Sequence, residues 1–273
     1  MATYKLVNEE KLDAAMTATA DAIRAKTGST DPIAWDAEKG MSEAVEPVFE
    51  AGKKAEYDAF WDAYQRNGTL TEYNGTFSGA GWTDDIFLPK YDLICEGRLD
   101  NLFLYGNVSD IKGCLEKSGV VLNTAKATHF YQSFSNSRAT KIPILDTSLA
   151  VSLYACFSQA KQLVSIDKII LNNNGYQNIT HCFMQNPELR YVIFEGTFVN
   201  SGFNFSSSPL LSKESILSIV NALSNSTTGL SITLSLTAVN TAFETSTGAG
   251  DGSTSEEWAA LIATKPNWTI SLA

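Results

Sequence analysis

A phenylalanine that returns at nearly regular intervals constrains this chain more than any other feature. Phe103, Phe134, Phe157, Phe183 and Phe205 follow one another at steps of 31, 23, 26 and 22 residues. Four residues before each of the first four stands a large apolar side chain: Leu99, Phe130, Leu153 and Ile179. Eight or nine residues after them come Ile111, Ile142, Ile166 and Val192, and the pair Cys156-Phe157 recurs as Cys182-Phe183. One unit of this length cannot bury its own apolar side, so successive units must stack. The four-residue spacing suits a helical turn facing inward, and the segment after it, such as 162–166, suits a short strand. Stacked strands would lie about 4.8 Å apart and place Phe over Phe. The expected repeat core is therefore Leu99, Phe103, Phe130, Phe134, Leu153, Phe157, Ile179 and Phe183.

Charge separates this stretch from the N-terminal one. Residues 1–68 hold 8 basic and 13 acidic side chains, whereas residues 118–183 hold 7 charges altogether. The head reads as helix. Asn8 can cap it, acidic residues fill its first turn, and Gly28 ends it. Leu12, Met16, Thr19 and Ile23 form a stripe at spacings of 4, 3 and 4 on one helix face. That stripe packs within the chain or, as the second outcome, associates with copies of itself as a small bundle such as a trimer. A second helical stretch runs over 36–65. At the other end, Ser212 can cap a helix carrying Ile216, Ile219, Val220 and Leu223. Ile232, Leu234 and Leu236 alternate as a strand. A loop rich in Gly, Ser and Thr precedes a helix around Trp258, and Trp268 and Ile270 suit a last strand. The expected organisation is a helical attachment or oligomerisation module over 1–68, a junction over 69–98, repeats over 99–211 and a capping αβ unit over 212–273.

Several function classes are excluded by what the chain carries. Its 273 residues have a net charge of −10, which offers no cationic footprint to nucleic acid. No apolar run approaches the roughly 18 residues that span a bilayer, so no membrane insertion is expected. The first 12 residues show no secretory pattern, which implies synthesis in a cytoplasm. Four scattered cysteines and two histidines give no metal spacing, and neither a metal nor a cofactor is expected. His181 beside Cys182 resembles a base and nucleophile only on paper, because neighbouring side chains point apart on a strand and do not meet on a helix. Asp84-Asp85 reads as a turn or helix cap. No catalytic residue is assigned. The charge-poor stretch instead carries Tyr131, Gln132, Asn136, Tyr154, Gln159, Asn172, Asn173, Asn174 and Tyr176, side chains suited to stacking and adaptable hydrogen bonding with a glycan or a protein.

The segment 134–148, with Ile142-Pro143-Ile144-Leu145-Asp146-Thr147-Ser148 ahead of Leu153 and Phe157, resembles the BspA-like leucine-rich repeat. Segments 21–33 and 51–65 are similar to the N-terminal module of tail-associated proteins of phages and prophages of Firmicutes-type gut bacteria. The segment 77–91, with Gly81-Trp82 and Pro89-Lys90-Tyr91, is similar to the junction that follows in those proteins. The resemblance implies an α/β chain in which N-terminal helices precede a short leucine-rich-repeat solenoid with a C-terminal αβ cap. It also implies a non-enzymatic virion protein with other tail proteins and a bacterial surface protein or glycan as partners. The alternatives are a purely structural tail or baseplate component and a bacterial surface adhesin.

Overall fold

The computed structural model describes residues 58–61, 70–72, 76–79, 81–243 and 255–273. The chain divides into two compact units, 1–66 and 67–273. In the first, the described residues form a helical turn in which the Phe60 and Trp61 rings meet edge to face at 5.0 Å. The stripe of Leu12, Met16, Thr19 and Ile23 lies outside the described residues.

The second unit begins with β1 (Leu70–Glu72), β2 (Leu93–Arg98), helix α1 (Ile111–Ser118) and β3 (Leu122–His129). The short strands β4 (Lys141–Ile142), β5 (Leu145–Asp146), β6 (Ser165–Ile170) and β7 (Tyr191–Glu195) follow. The chain closes with β8 (Asn204–Phe205), α2 (Lys213–Asn221), β9 (Leu230–Leu234), α3 (Leu236–Ala242), α4 (Glu256–Ala263) and β10 (Trp268–Leu272). Among the described residues every strand pair is parallel. β1, β2 and β3 form one sheet, β4 and β5 pair along β6, which also pairs with β7, and β8, β9 and β10 form a third. The helices start where the sequence supplies an oxygen for their free N–H groups: the side chains of Asp110, Ser212, Ser235 and Ser255 accept from the first turn of α1, α2, α3 and α4.

Between the strands run four six-residue turns over 100–105, 131–136, 154–159 and 180–185. Each holds its phenylalanine between two residues at positive φ: Asn101 and Tyr105, Gln132 and Asn136, Ala155 and Gln159, His181 and Gln185. A left-handed residue every four positions turns alternate N–H groups out of the turn and toward the next one. Phe103 N–H donates to the Ser133 carbonyl at 2.6 Å, Phe134 N–H to Cys156 at 2.8 Å, and Phe157 N–H to Cys182 at 2.9 Å. The residues two before each Phe do the same: Asn101 donates to Tyr131, Gln132 to Tyr154, and Ala155 to Thr180. The rings follow the backbone. Phe103 and Phe134 stack at 5.5 Å and 14°, Phe134 and Phe157 at 5.5 Å and 13°, and Phe157 and Phe183 at 5.0 Å and 21°. All four are at most 1% exposed. Buried serines brace the same carbonyl rows: Ser133 Oγ donates to Leu99 O at 2.6 Å and Ser135 Oγ to Ser158 O at 2.9 Å.

The expected leucine-rich-repeat solenoid is not what these elements form. The strands fall into three separate small parallel sheets interleaved with helices, a mixed α/β arrangement, rather than one strand ladder running through all the repeats. The unequal repeat lengths give the reason. The longest interval, between Phe103 and Phe134, holds α1, so Ile111 opens a helix where Ile142, Ile166 and Val192 lie in register on β4, β6 and β7. Phe205 lies on β8, paired with β9, and not in a turn. The helical turn expected around Leu153 and Phe157 is absent as well, because alternate N–H groups go to the neighbouring turn and those of Cys156 and Ser158 between them to carbonyls three residues back, none to a carbonyl four back. In the C-terminal segment Ile232 and Leu234 are buried on β9, whereas Leu236 opens α3 under the Ser235 cap and does not prolong the strand.

Candidate functional site

The turns have an inner side, filled by the phenylalanines, and an outer side that reaches solvent. Three residues before Phe134 and Phe157 stand Tyr131 and Tyr154, whose rings stack at 5.0 Å and 11°. Tyr154 in turn meets the His181 ring edge to face at 6.2 Å. The ladder fixes this file: Gln132 N–H donates to the Tyr154 carbonyl at 2.9 Å, and Ala155 N–H to Thr180 at 2.9 Å. Tyr131 keeps 39% of its surface exposed. The stack thus offers an aromatic surface on a backbone already ordered, which lowers the entropy lost when a ligand is held.

Gln132, Asn136 and Gln159 flank the tyrosines at the left-handed positions, half-buried. Asn tolerates positive φ because its short amide can bond locally, and Asn136 Nδ2 donates to Ser135 Oγ at 3.1 Å. Five of the nine residues expected to form a binding surface therefore lie on the turns and reach solvent at least in part: Tyr131, Gln132, Asn136, Tyr154 and Gln159.

The other four lie on the loop after β6 and mostly hold it together. Tyr176 is 7% exposed; its hydroxyl meets Thr147 Oγ1 at 2.8 Å and accepts from Asn172 N–H at 2.9 Å. Burial, the largest influence, pushes that phenol up to about 12. Asn172, also 7% exposed, donates from Nδ2 to Ala150 O at 2.7 Å and accepts from Asn174 N–H at 2.9 Å. Neither offers an atom to a partner, which corrects their assignment as contact residues. Asn173 is exposed, but its Oδ1 accepts from Thr197 N–H at 2.8 Å; Asn174 is exposed, its own N–H held by Asn172.

The reactive-looking groups are occupied structurally. Cys156 is fully buried, Cys182 is 2% exposed, and burial pushes both thiols well above their ordinary value. Asp84 accepts from the N–H groups of Ser109 at 2.6 Å and Asp110 at 3.0 Å, and from the Ser109 hydroxyl. Burial works to raise its carboxyl, but these bonds outweigh it and hold the group below the usual carboxylate range. Its role is to pin the entry to α1. Among the described residues no cluster of three or more His, Cys, Asp or Glu could hold a metal ion. Among the same residues no helix is long and apolar enough to cross a membrane.

His181, which the sequence offered only as a neighbour of Cys182, belongs to the outer face beside Tyr154. Its signal was present: Asn101, Gln132 and His181 stand two residues before their phenylalanines, and Asn136, Gln159 and Gln185 two after, a polar bracket that marks left-handed positions. No family model matches the chain, and neither a curated protein nor a solved structure matches it.

Proposed function

We propose that the chain is a non-enzymatic binding protein of a phage or prophage tail. In this reading residues 1–68 attach it to other tail proteins, with self-association there as a trimer, and the outer face of the turns engages a protein or glycan on the bacterial surface. The protein is made in the bacterial cytoplasm and ends in the virion. The observation that carries the binding role is the Tyr131–Tyr154 stack, continued by His181 and bordered by Gln132, Asn136 and Gln159. Ordered tyrosines with adaptable amides beside them are the composition of a recognition surface. The buried thiols with raised values and the structural use of Asp84 support a role without chemistry.

The test is binding of the purified chain to candidate host cells, compared with Tyr131→Ala and Tyr154→Ala. The expected result is saturable binding that weakens about tenfold or more in either variant, the size of a central aromatic contact. Binding equal in all three moves recognition off this face. No binding to any candidate host favours a purely structural tail or baseplate component.

A further inference from the structure

The turn ladder has a direction, and its two ends differ. Phe77 N–H donates to the Leu102 carbonyl, and the peptide group that carries that carbonyl donates through Phe103 N–H to Ser133. The relay continues through Phe134 to Cys156 and through Phe157 to Cys182. A second relay runs from Gly79 through Tyr105, Asn136 and Gln159 to Met184, and a third from Asn101 through Gln132 and Ala155 to Thr180. All these peptide groups point their N–H the same way, so their dipoles add head to tail as they do along a helix. The positive ends emerge together at the last turn.

There the next acceptor is missing. The N–H groups of His181, Phe183 and Gln185 have no partner among the described residues, whereas the Thr180, Cys182 and Met184 N–H groups between them are each bonded locally. Residues 201–207 occupy the place of a fifth turn. The Phe205 ring continues the aromatic pile at 4.6 Å from Phe183, but its backbone pairs with β9 and turns no carbonyl row toward Phe183. The result is a cleft of about 370 Å³ between the last turn and that segment. Across it lie Ser201, Gly202, Asn204, Ser206 and Ser207. Gly202 has φ +105, a conformation that keeps a side chain off this wall. The hydroxyls of Ser206 and Ser207 have no partner among the described residues. No acidic side chain lines the cleft.

A row of acceptor-free donors at the positive end of aligned dipoles wants an oxyanion. The net charge of −10 disfavours a dianion more than a monoanion. The free serine hydroxyls suit a polyhydroxyl body, and the volume falls within the range of small-ligand pockets. His181 lines the cleft and closes the Tyr131–Tyr154 file, so the two surfaces are continuous.

We infer that this cleft binds the carboxylate of an acidic sugar, with the His181 and Phe183 N–H groups holding the carboxylate and Ser206 and Ser207 the sugar hydroxyls. The assignment rests on reading the adjoining face as a receptor surface, and it names the receptor class as a uronic or sialic acid glycan.

The test is titration of the full chain, labelled with nitrogen-15, with glucuronate, glucose and acetate. Glucuronate is expected to shift the amide resonances of His181 and Phe183 and to bind about tenfold tighter than acetate, with glucose silent. Ser206→Leu, which fills the cleft, abolishes those shifts while the remaining spectrum reports an intact fold. Silence with glucuronate, an equal response to glucose, or acetate binding as tightly as glucuronate overturns the assignment. Host-cell binding that survives a silent cleft breaks this inference alone. A responsive cleft on a chain that binds no host breaks the tail-receptor reading.

Discussion

The ladder of turns over 99–185 and the sheet of β8, β9 and β10 both join parallel segments by backbone hydrogen bonds, yet they leave opposite kinds of edge. In the sheet, successive residues along a strand turn their N–H and carbonyl groups to alternate sides, so strand dipoles largely cancel, and side chains alternate with period two: Ile232 and Leu234 are buried and Ser231 is exposed. In the turns, left-handed residues such as Gln132 and Asn136 send the N–H groups of alternate residues in one direction, and the dipoles add. The entry end is closed, since Phe77 and Gly79 cover the carbonyls of Leu102 and Leu104. The exit end at His181, Phe183 and Gln185 is open. A repeat built from turns thus acquires a polarity that a strand repeat lacks.

The largest break in this comparison comes from the ring column. Phe157→Ala removes a ring stacked on both sides and is expected to cost about 3–5 kcal/mol in urea unfolding, whereas Ile270→Ala on the half-buried β10 costs about 1 kcal/mol. Equal costs would place the stability of the unit in its C-terminal sheet.

The pinned start of α1 can be tested through acid. Asp84 stabilises the chain because its folded carboxyl lies below the ordinary value near 4. That contribution is complete above the ordinary value and is lost as pH falls through the folded one. Asp84→Ala is expected to cost about 1–2 kcal/mol at neutral pH, and the difference from the parent chain should shrink below about pH 4. A difference independent of pH would show that the carboxylate charge contributes nothing there.

The smallest expected effect sharpens the role of the left-handed positions. Tyr105 is 62% exposed at φ 54, so Tyr105→Gly relieves backbone strain with little burial to lose. A gain of up to about 1 kcal/mol is expected, read as a higher urea midpoint. The same substitution on β9, Ser231→Gly, should lose stability.

The phenylalanine spacing made the ring column legible, because one buried residue type at a near-constant interval has few ways to be buried. It did not reveal the backbone between the rings. Four-residue spacing fits a helical turn and a left-handed bracket equally well, and only the destination of the N–H groups separates them. The surplus residues between Phe103 and Phe134 were visible as a longer interval, but their folding into α1, which removes Ile111 from the strand register, followed from the Asp110 cap and Gly119 at φ 67. Tyr176 and Asn172 looked like surface residues by type; their burial depends on Thr147 and Ala150, a repeat earlier in the chain. The open cleft was invisible in the sequence, because it is made of peptide groups that every residue carries.

Hydrogen exchange of individual amides tests the directional ladder most directly. The N–H groups of Phe103, Phe134 and Phe157 should exchange only on global opening, and those of His181, Phe183 and Gln185 about a hundredfold faster or more. Protection at Phe183 equal to that at Phe157, or rapid exchange along the whole column, would contradict a ladder that runs one way and ends open.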